Sequence, residues 1–159
     1  MKIISTDNAI WRRAKKTQGI RAKPLVNLIV DRSVSSKFLV DTLEGREPID
    51  MGNMFCIGAA GDAWQQTSKA LLKKYDIKQV DADGWMVCEP RPENEVEFFE
   101  ATDEEGCVIG LWGETIDGKE RLQRFVKGDF ICRQVDDPSD QWVVRRTLFI
   151  NTYTILGER

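Results

Sequence analysis

Gly128-Asp-Phe-Ile-Cys-Arg133, an acidic turn, and then Gln141-Trp-Val-Val-Arg-Arg-Thr-Leu-Phe-Ile-Asn-Thr-Tyr153 read as a strand, a hairpin, a return strand and a short helix ending on an aromatic residue. A worn copy of this stretch stands at 52–75. Trp64 precedes Leu71 by 7 residues and Tyr75 by 11, and Trp142 precedes Phe149 and Tyr153 by the same 7 and 11. Cys56 and Cys132 each follow their glycine, Gly52 or Gly128, by four positions. Gly52 stands 12 residues before Trp64 and Gly128 stands 14 before Trp142, so the second copy carries two extra turn residues. Self-similarity at a fixed spacing is the mark of a repeated structural unit.

Each copy makes physical sense as a hairpin followed by a helix. A glycine at the strand entry permits a tight turn or a positive φ. Alternation of Met54, Cys56 and Gly58, or of Phe130 and Cys132, gives the strand one apolar face. Leu71/Tyr75 and Phe149/Tyr153 are i, i+4 pairs on one side of a short helix. Thr67 or Ser68 suits the N-cap of the first helix. The second begins on two arginines, which the helix dipole disfavours.

Gly128-Asp-Phe-Ile and Gln141-Trp-Val-Val through Thr152-Tyr153 resemble the C-terminal signature of the small PGDYG family, known from bacterial and phage genomes. The first copy is similar to a fuller but degenerate version, with Lys23-Pro24, Thr42-Leu43-Glu44-Gly45, Gly52-Asn53-Met54-Phe55, Gly61-Asp62-Ala63-Trp64 and Tyr75. Lys127 replaces the leading proline of the signature, and Asn53 replaces the aspartate of the first copy. The two matches span about half of the chain. The resemblance implies a repeated fold unit and a bacterial or phage setting, and it carries over no catalytic residue.

A chain of 159 residues makes one ordinary domain or two small halves sharing a core. With 42% hydrophobic and 31% charged residues, it has the composition of a soluble globular protein with a buried interior. Net charge is −3, which argues against general affinity for nucleic acid, but residues 1–24 alone carry +6 and leave −9 to the rest. Four cysteines without a CxxC pair, and no apolar leader or membrane-length run, point to reduced thiols in a cytoplasmic protein of the native or an infected host cell. The chain has no histidine. Ser-His-Asp and Cys-His mechanisms, HExxH zinc sites and a histidine base are thereby excluded.

Read in order, Asp7 or Thr6 caps a helix over Asn8–Thr17, closed by Gly19, within a basic N-terminal helical segment at 1–22. A first repeat half follows at 23–80 and a second at 81–159, in one compact domain. Strands are expected at Leu25–Val30, Phe38–Thr42, Ile77–Val80, Trp85–Glu89, Glu95–Thr102 and Cys107–Trp112, with turns at 44–48 and 113–119. Pro90–Asn94, with two prolines, is the best boundary between halves. The fold class that results is α+β and predominantly antiparallel β: two pseudo-repeated hairpin-plus-short-helix units packed as small sheets or half-barrels.

Three acidic or glycine-rich stretches have only a superficial likeness to functional loops. Asp81-x-Asp83-Gly84 lacks the glutamate of a calcium loop, Pro92 standing in its place, and reads as a hairpin turn. Asp136–Asp140 reads as a solvated turn. Gly58-Ala-Ala-Gly61-Asp62 lacks the Lys-Ser/Thr of a phosphate loop. No metal or other cofactor is expected.

The candidate ligand site is Trp112 and Glu114 with Arg121, Arg124, Arg145 and Arg146, an indole and guanidinium groups suited to stacking and anion binding. Arg12, Arg13, Lys15 and Lys16 are the candidate nucleic-acid contacts. The function that follows is a non-enzymatic binding module holding a small anionic ligand, a nucleotide among them, or a protein segment between its halves. The alternatives are a histidine-free enzyme with Glu114 or Asp129 as base, and nucleic-acid contact through the basic helix.

Overall fold

Arg12-Arg-Ala-Lys-Lys16 has the charge of a solvated helix, yet in the computed structural model it is a β-strand. The structure describes residues 2–29, 39–42, 45–48, 52–116 and 120–157, with side chains described outside 28–51 and 112–120. In chain order the elements are β1 (Arg12–Lys16), β2 (Ile20–Pro24), α1 (Leu25–Ile29), β3 (Leu39–Thr42), β4 (Gly45–Pro48), β5 (Met54–Ile57), β6 (Ala63–Gln66), α2 (Ser68–Lys74), β7 (Tyr75–Val80) and β8 (Met86–Pro90). They continue with β9 (Val96–Glu100), β10 (Glu105–Ile116), β11 (Glu120–Val126), β12 (Phe130–Gln134), β13 (Asp137–Val144), α3 (Arg146–Thr152) and β14 (Tyr153–Ile155). The protein is β-rich, and its sheets are antiparallel.

The chain divides into two units. A terminal unit comprises Met1–Thr17, Leu43–Gly45 and Glu95–Arg159, and a central unit comprises Gln18–Thr42 and Arg46–Asn94. The change-over thus falls at Asn94/Glu95, after the proline-flanked segment, and not at 80/81. β8, on the far side of 80/81, pairs with β2 and β7 of the central unit.

The central unit carries a five-stranded sheet in the order β6-β5-β2-β8-β7. Ala22 pairs with Cys56 on one side and Met86 on the other, and Cys56 with Trp64. α2 supplies Leu71 to a core of Ile20, Ala22, Met54, Cys56, Tyr75 and Cys88, with Trp64 and Met86 packed at its margin. Thr67 is the N-cap, its hydroxyl accepting from the Ala70 amide. Gly19, just before β2, has no room for a side chain, because a Cβ there would stand 2.8 Å from the Cys88 carbonyl oxygen.

The terminal unit carries a second five-stranded sheet, ordered β13-β12-β9-β1-β14. Cys132 pairs with Trp142 and Phe98, Ala14 with Val96 and Ile155. One face holds Ala14, Val96, Phe98, Phe130, Cys132 and Val144 under Phe149 of α3. Phe149 stacks on Phe130 at 4.3 Å and on Tyr153 at 4.6 Å between ring centroids. The other face packs Phe99, Ile131 and Val143 with Val108 and Phe125 of the β10–β11 hairpin. Each buried phenylalanine here contributes about 1.5–3 kcal/mol.

The N-terminal helix expected from the sequence is therefore corrected to strands β1 and β2. The charge is sorted by the period of two: Ala14 is fully buried on the α3 face, where Arg12 and Lys16 lie over the Phe98 and Tyr153 rings, while Arg13 and Lys15 point to the other face. Pairing on both edges overrides the helical tendency of the segment. Leu25–Ile29, read as a strand, is helix α1; residue 30 lies outside the described residues. Residues 45–48, read as a turn, form β4, which pairs with β3. β10 runs on through Trp112 to Ile116, so 113–116 is strand, while 117–119 lie outside the described residues. The register of the β12–β13 hairpin slips at a bulge: Arg133 pairs with Gln141 but Gln134 with Asp137. α3 starts on Arg145 with no side-chain cap.

Because β1 is an inner strand, Ala14→Glu places a charge in a dry core and is expected to destabilise the terminal unit by more than about 2 kcal/mol. Hydrogen exchange should show β9 and β14 losing protection while β2, β5 and β8 keep theirs. Equal protection throughout would show that β1 is dispensable.

Candidate functional site

The six candidate ligand residues all belong to the terminal unit. Trp112 and Glu114 lie on β10, where pairing with β11 slips: Ile109 and Glu114 both face Leu122, so 110–113 form a bulge. Their side chains are outside the described residues. Arg121 and Arg124 lie on β11, opposite Thr115 and Cys107, three residues apart and so on opposite faces of the strand.

Arg145 and Arg146 open α3, each on a carboxylate. Arg145 Nη1 donates to Asp129 Oδ2 at 2.5 Å, and Arg146 Nη1 donates to Glu100 Oε1 at 2.7 Å. Arg146 also lies over the Phe130 ring, 5.5 Å from its centroid. These two guanidinium groups brace the start of a helix that has no side-chain cap.

Asp129 explains why Arg145 is there. It follows Gly128, whose φ of +93° is the left-handed turn a glycine permits. The Asp129 carboxylate is buried and also accepts from the Val126 amide at 2.9 Å. A carboxylate so enclosed, with two donors on one oxygen, holds a turn. In the central unit Asn53 stands just before β5, buried and donating to Gln65 Oε1 at 3.1 Å.

The four basic residues of β1 do not form one cationic face. Arg12 lies over the Phe98 ring at 5.4 Å and Lys16 over Tyr153 at 6.0 Å, while Arg13 contacts Glu95 at 3.4 Å and Glu97 at 3.8 Å on the other side. Glu97 is shared with Arg133 at 2.9 Å, and Arg133 stacks on Trp11 at 4.0 Å.

A cation–aromatic cluster in the central unit goes beyond the residues singled out in the sequence. Arg21 and Lys23, alternate residues of β2, approach the Trp85 ring at 5.4 and 5.5 Å, and Phe55 lies 6.3 Å away. Arg21 bonds Asp81 Oδ2 at 2.5 Å, and Lys23 Nζ donates to the Asp83 carbonyl at 2.8 Å. Arg-x-Lys at strand spacing with a later tryptophan is the signal by which the sequence could have shown it. Asp81 Oδ1 accepts from the Asp83 and Trp85 amides, so Asp81-Ala-Asp-Gly84 is a braced hairpin turn.

The Asp81 carboxyl is held below its ordinary range chiefly by the Trp85 amide, with Arg21 and the Asp83 amide adding to the effect against a desolvation cost. Burial raises the Tyr75 phenol well above its usual value and also raises the Cys88 thiol. All four cysteines are buried and unbridged. Asp137 Oδ1 accepts from the Ser139 hydroxyl at 2.6 Å, and no three cation-binding side chains converge among the described residues. No helix among them is long and apolar enough to cross a membrane.

No protein family, curated protein or solved structure matches this chain.

Two stability tests follow. Asp129→Ala is expected to cost about 2 kcal/mol in urea unfolding, because a guanidinium and an amide lose their acceptor. Asp129→Asn, which keeps an acceptor oxygen for the amide, should cost less than half of that. For Asp81, a depressed folded-state pKa means its stabilisation is complete above the unfolded value of about 3.9 and is lost as pH falls through the folded one. The stability gap between the native chain and Asp81→Ala should stay constant near neutrality and close on acidification. A gap that widens in acid would reverse the assignment.

Proposed function

We propose that this chain is a non-enzymatic binding module built from two copies of one five-stranded unit, related to the PGDYG-type sequences it resembles. Its ligand is a small anion, a nucleotide among them, or a segment of another protein.

Strand register supports the duplication. Ile20, Ala22, Met54 and Cys56 answer to Val96, Phe98, Phe130 and Cys132, a constant offset of 76, with the same cross-strand partners in each sheet. Trp64, Leu71, Tyr75 and Ile77 answer to Trp142, Phe149, Tyr153 and Ile155, offset by 78, the two extra residues lying in the hairpin. Among the described residues, the strand corresponding to β8 does not follow β14 in sequence. Its place is taken by β1, with Ala14 standing where Cys88 stands. The turn carbonyls match as well: Asn53 accepts from the Leu25 amide and Asp129 from the Ala101 amide.

Binding is favoured over catalysis by one observation. Asp129, one of the two carboxylates the sequence offers as a base beside Glu114, spends Oδ2 on the Val126 amide and Arg145, inside the fold. A general base must reach the proton it takes.

A thermal-shift panel of nucleotides, polyphosphates and short peptides tests this reading, with mass spectrometry of each probe afterwards. A ligand at 100 times its Kd should raise the midpoint by about 5–10 °C and be recovered unchanged. Conversion of any probe, lost in Asp129→Asn, would make the protein an enzyme. Silence across the whole panel would remove the binding proposal.

A further inference from the structure

β7 is an edge strand of the central sheet, and two of its four exposed side chains are aliphatic where solvent would favour polar ones. Ile77 is 41% and Val80 61% exposed, and Leu72 of α2 is 46% exposed. Residues 77 and 80 are three apart, so a regular strand would send them to opposite faces. A bulge prevents this. Ile77 pairs with Cys88, and Val80, after the slip at Lys78, pairs with Met86. Cys88 and Met86 both belong to the core beneath α2, so Ile77 and Val80 share the helix side of the sheet. Bulges re-aim side chains in this way.

The same rim is basic. Lys69, Leu72 and Lys73 recur at i, i+3 and i+4 along the exposed side of α2, and Lys78 is exposed at the bulge. Asp76, the acid of β7, lies 3.5 Å from Arg91. An outer strand, aliphatic side chains gathered on one face and flanking lysines together describe a surface for strand addition.

We propose that β7 and α2 form the docking surface for an extended segment of another polypeptide, one that carries both acidic and aliphatic side chains on a single face and adds to the central sheet beside β7 with that face toward α2. This rests on the binding-module reading above and names its partner. Main-chain hydrogen bonds along β7 give the affinity, Leu72, Ile77 and Val80 receive the aliphatic side chains, and Lys69, Lys73 and Lys78 select for acid. A second copy of this chain is the poorer occupant, since isologous pairing would set these lysines against their own counterparts.

The probe is a labelled ten-residue peptide with glutamate and valine in turn at every second position and threonine between them, titrated into the full chain and followed by fluorescence anisotropy. Binding should weaken as salt rises and protect residues 75–80 from hydrogen exchange. Val80→Glu and Leu72→Glu should each weaken it by about tenfold or more, while Val126→Glu, a similarly exposed site in the terminal unit, should leave it unchanged. Lys69→Glu with Lys78→Glu should abolish it and create binding of the matching lysine–valine peptide.

Failure of the peptide to bind, or binding indifferent to Val80→Glu, overturns the inference. Protection that maps away from 75–80 overturns the docking surface while leaving the binding-module reading intact. Sedimentation with vesicles containing one-fifth phosphatidylserine, lost in Val80→Glu and unaccompanied by peptide binding, would instead make the patch a membrane surface. A dimer in sedimentation velocity that Val80→Glu dissolves, again without peptide binding, would assign it to self-association.

Discussion

The terminal sheet depends on the insertion of one short strand between two others. β1 has β9 on one edge and β14 on the other, and Ala14 sits at their crossing with no exposed surface. A larger side chain would push against Phe98 and Phe149, and a polar one would be buried without a partner. Around this point the surface is arranged by parity. Alternate basic residues lie over Phe98 and Tyr153 on one face and against Glu95 and Glu97 on the other. Four positive charges in five residues thus flank the buried Ala14 without sitting in the core.

The acids that look most chemical in the sequence share a structural task. Asp81 and Asp129 each accept backbone amides across a hairpin or strand-entry turn and each holds an arginine. Polar braces of this kind fix where a strand begins, and in a sheet that determines which side chains face the core. The Gly128-Asp129 turn is therefore coupled to the packing of Phe130, the residue that follows it, as Asn53 is to Met54.

The hairpins and the two later helices were legible in the sequence because their signals are local: glycine at the strand entry, alternating apolar residues, Thr67 as a cap and aromatic residues at i, i+4. β1 was not, because Arg-Arg-Ala-Lys-Lys has no apolar alternation, and its partners lie more than 80 residues away. Local spacing also misassigned Leu25–Ile29, whose apolar run suits a strand or a buried helix equally. Of the candidate ligand residues, Arg145 and Arg146 were visible as charges. Their carboxylate partners, Asp129 and Glu100, lie 16 and 46 residues away and could not be assigned by spacing. The shared face of Ile77 and Val80 depends on a bulge that no periodicity announces.

The placement of β1 also orders events at the ribosome. The central unit, Gln18–Asn94 apart from residues 43–45, holds all five strands of its sheet within one stretch of nascent chain. The terminal sheet cannot close until Tyr153–Ile155 has been made, although β1, the strand that must lie beside it, stands 137 residues earlier in the sequence at the pair Lys16–Tyr153. Until then β1 can pair on one edge only, with β9. Ala14 and Ile155 meet across 141 residues of sequence, so this closure carries a large loop-closure cost.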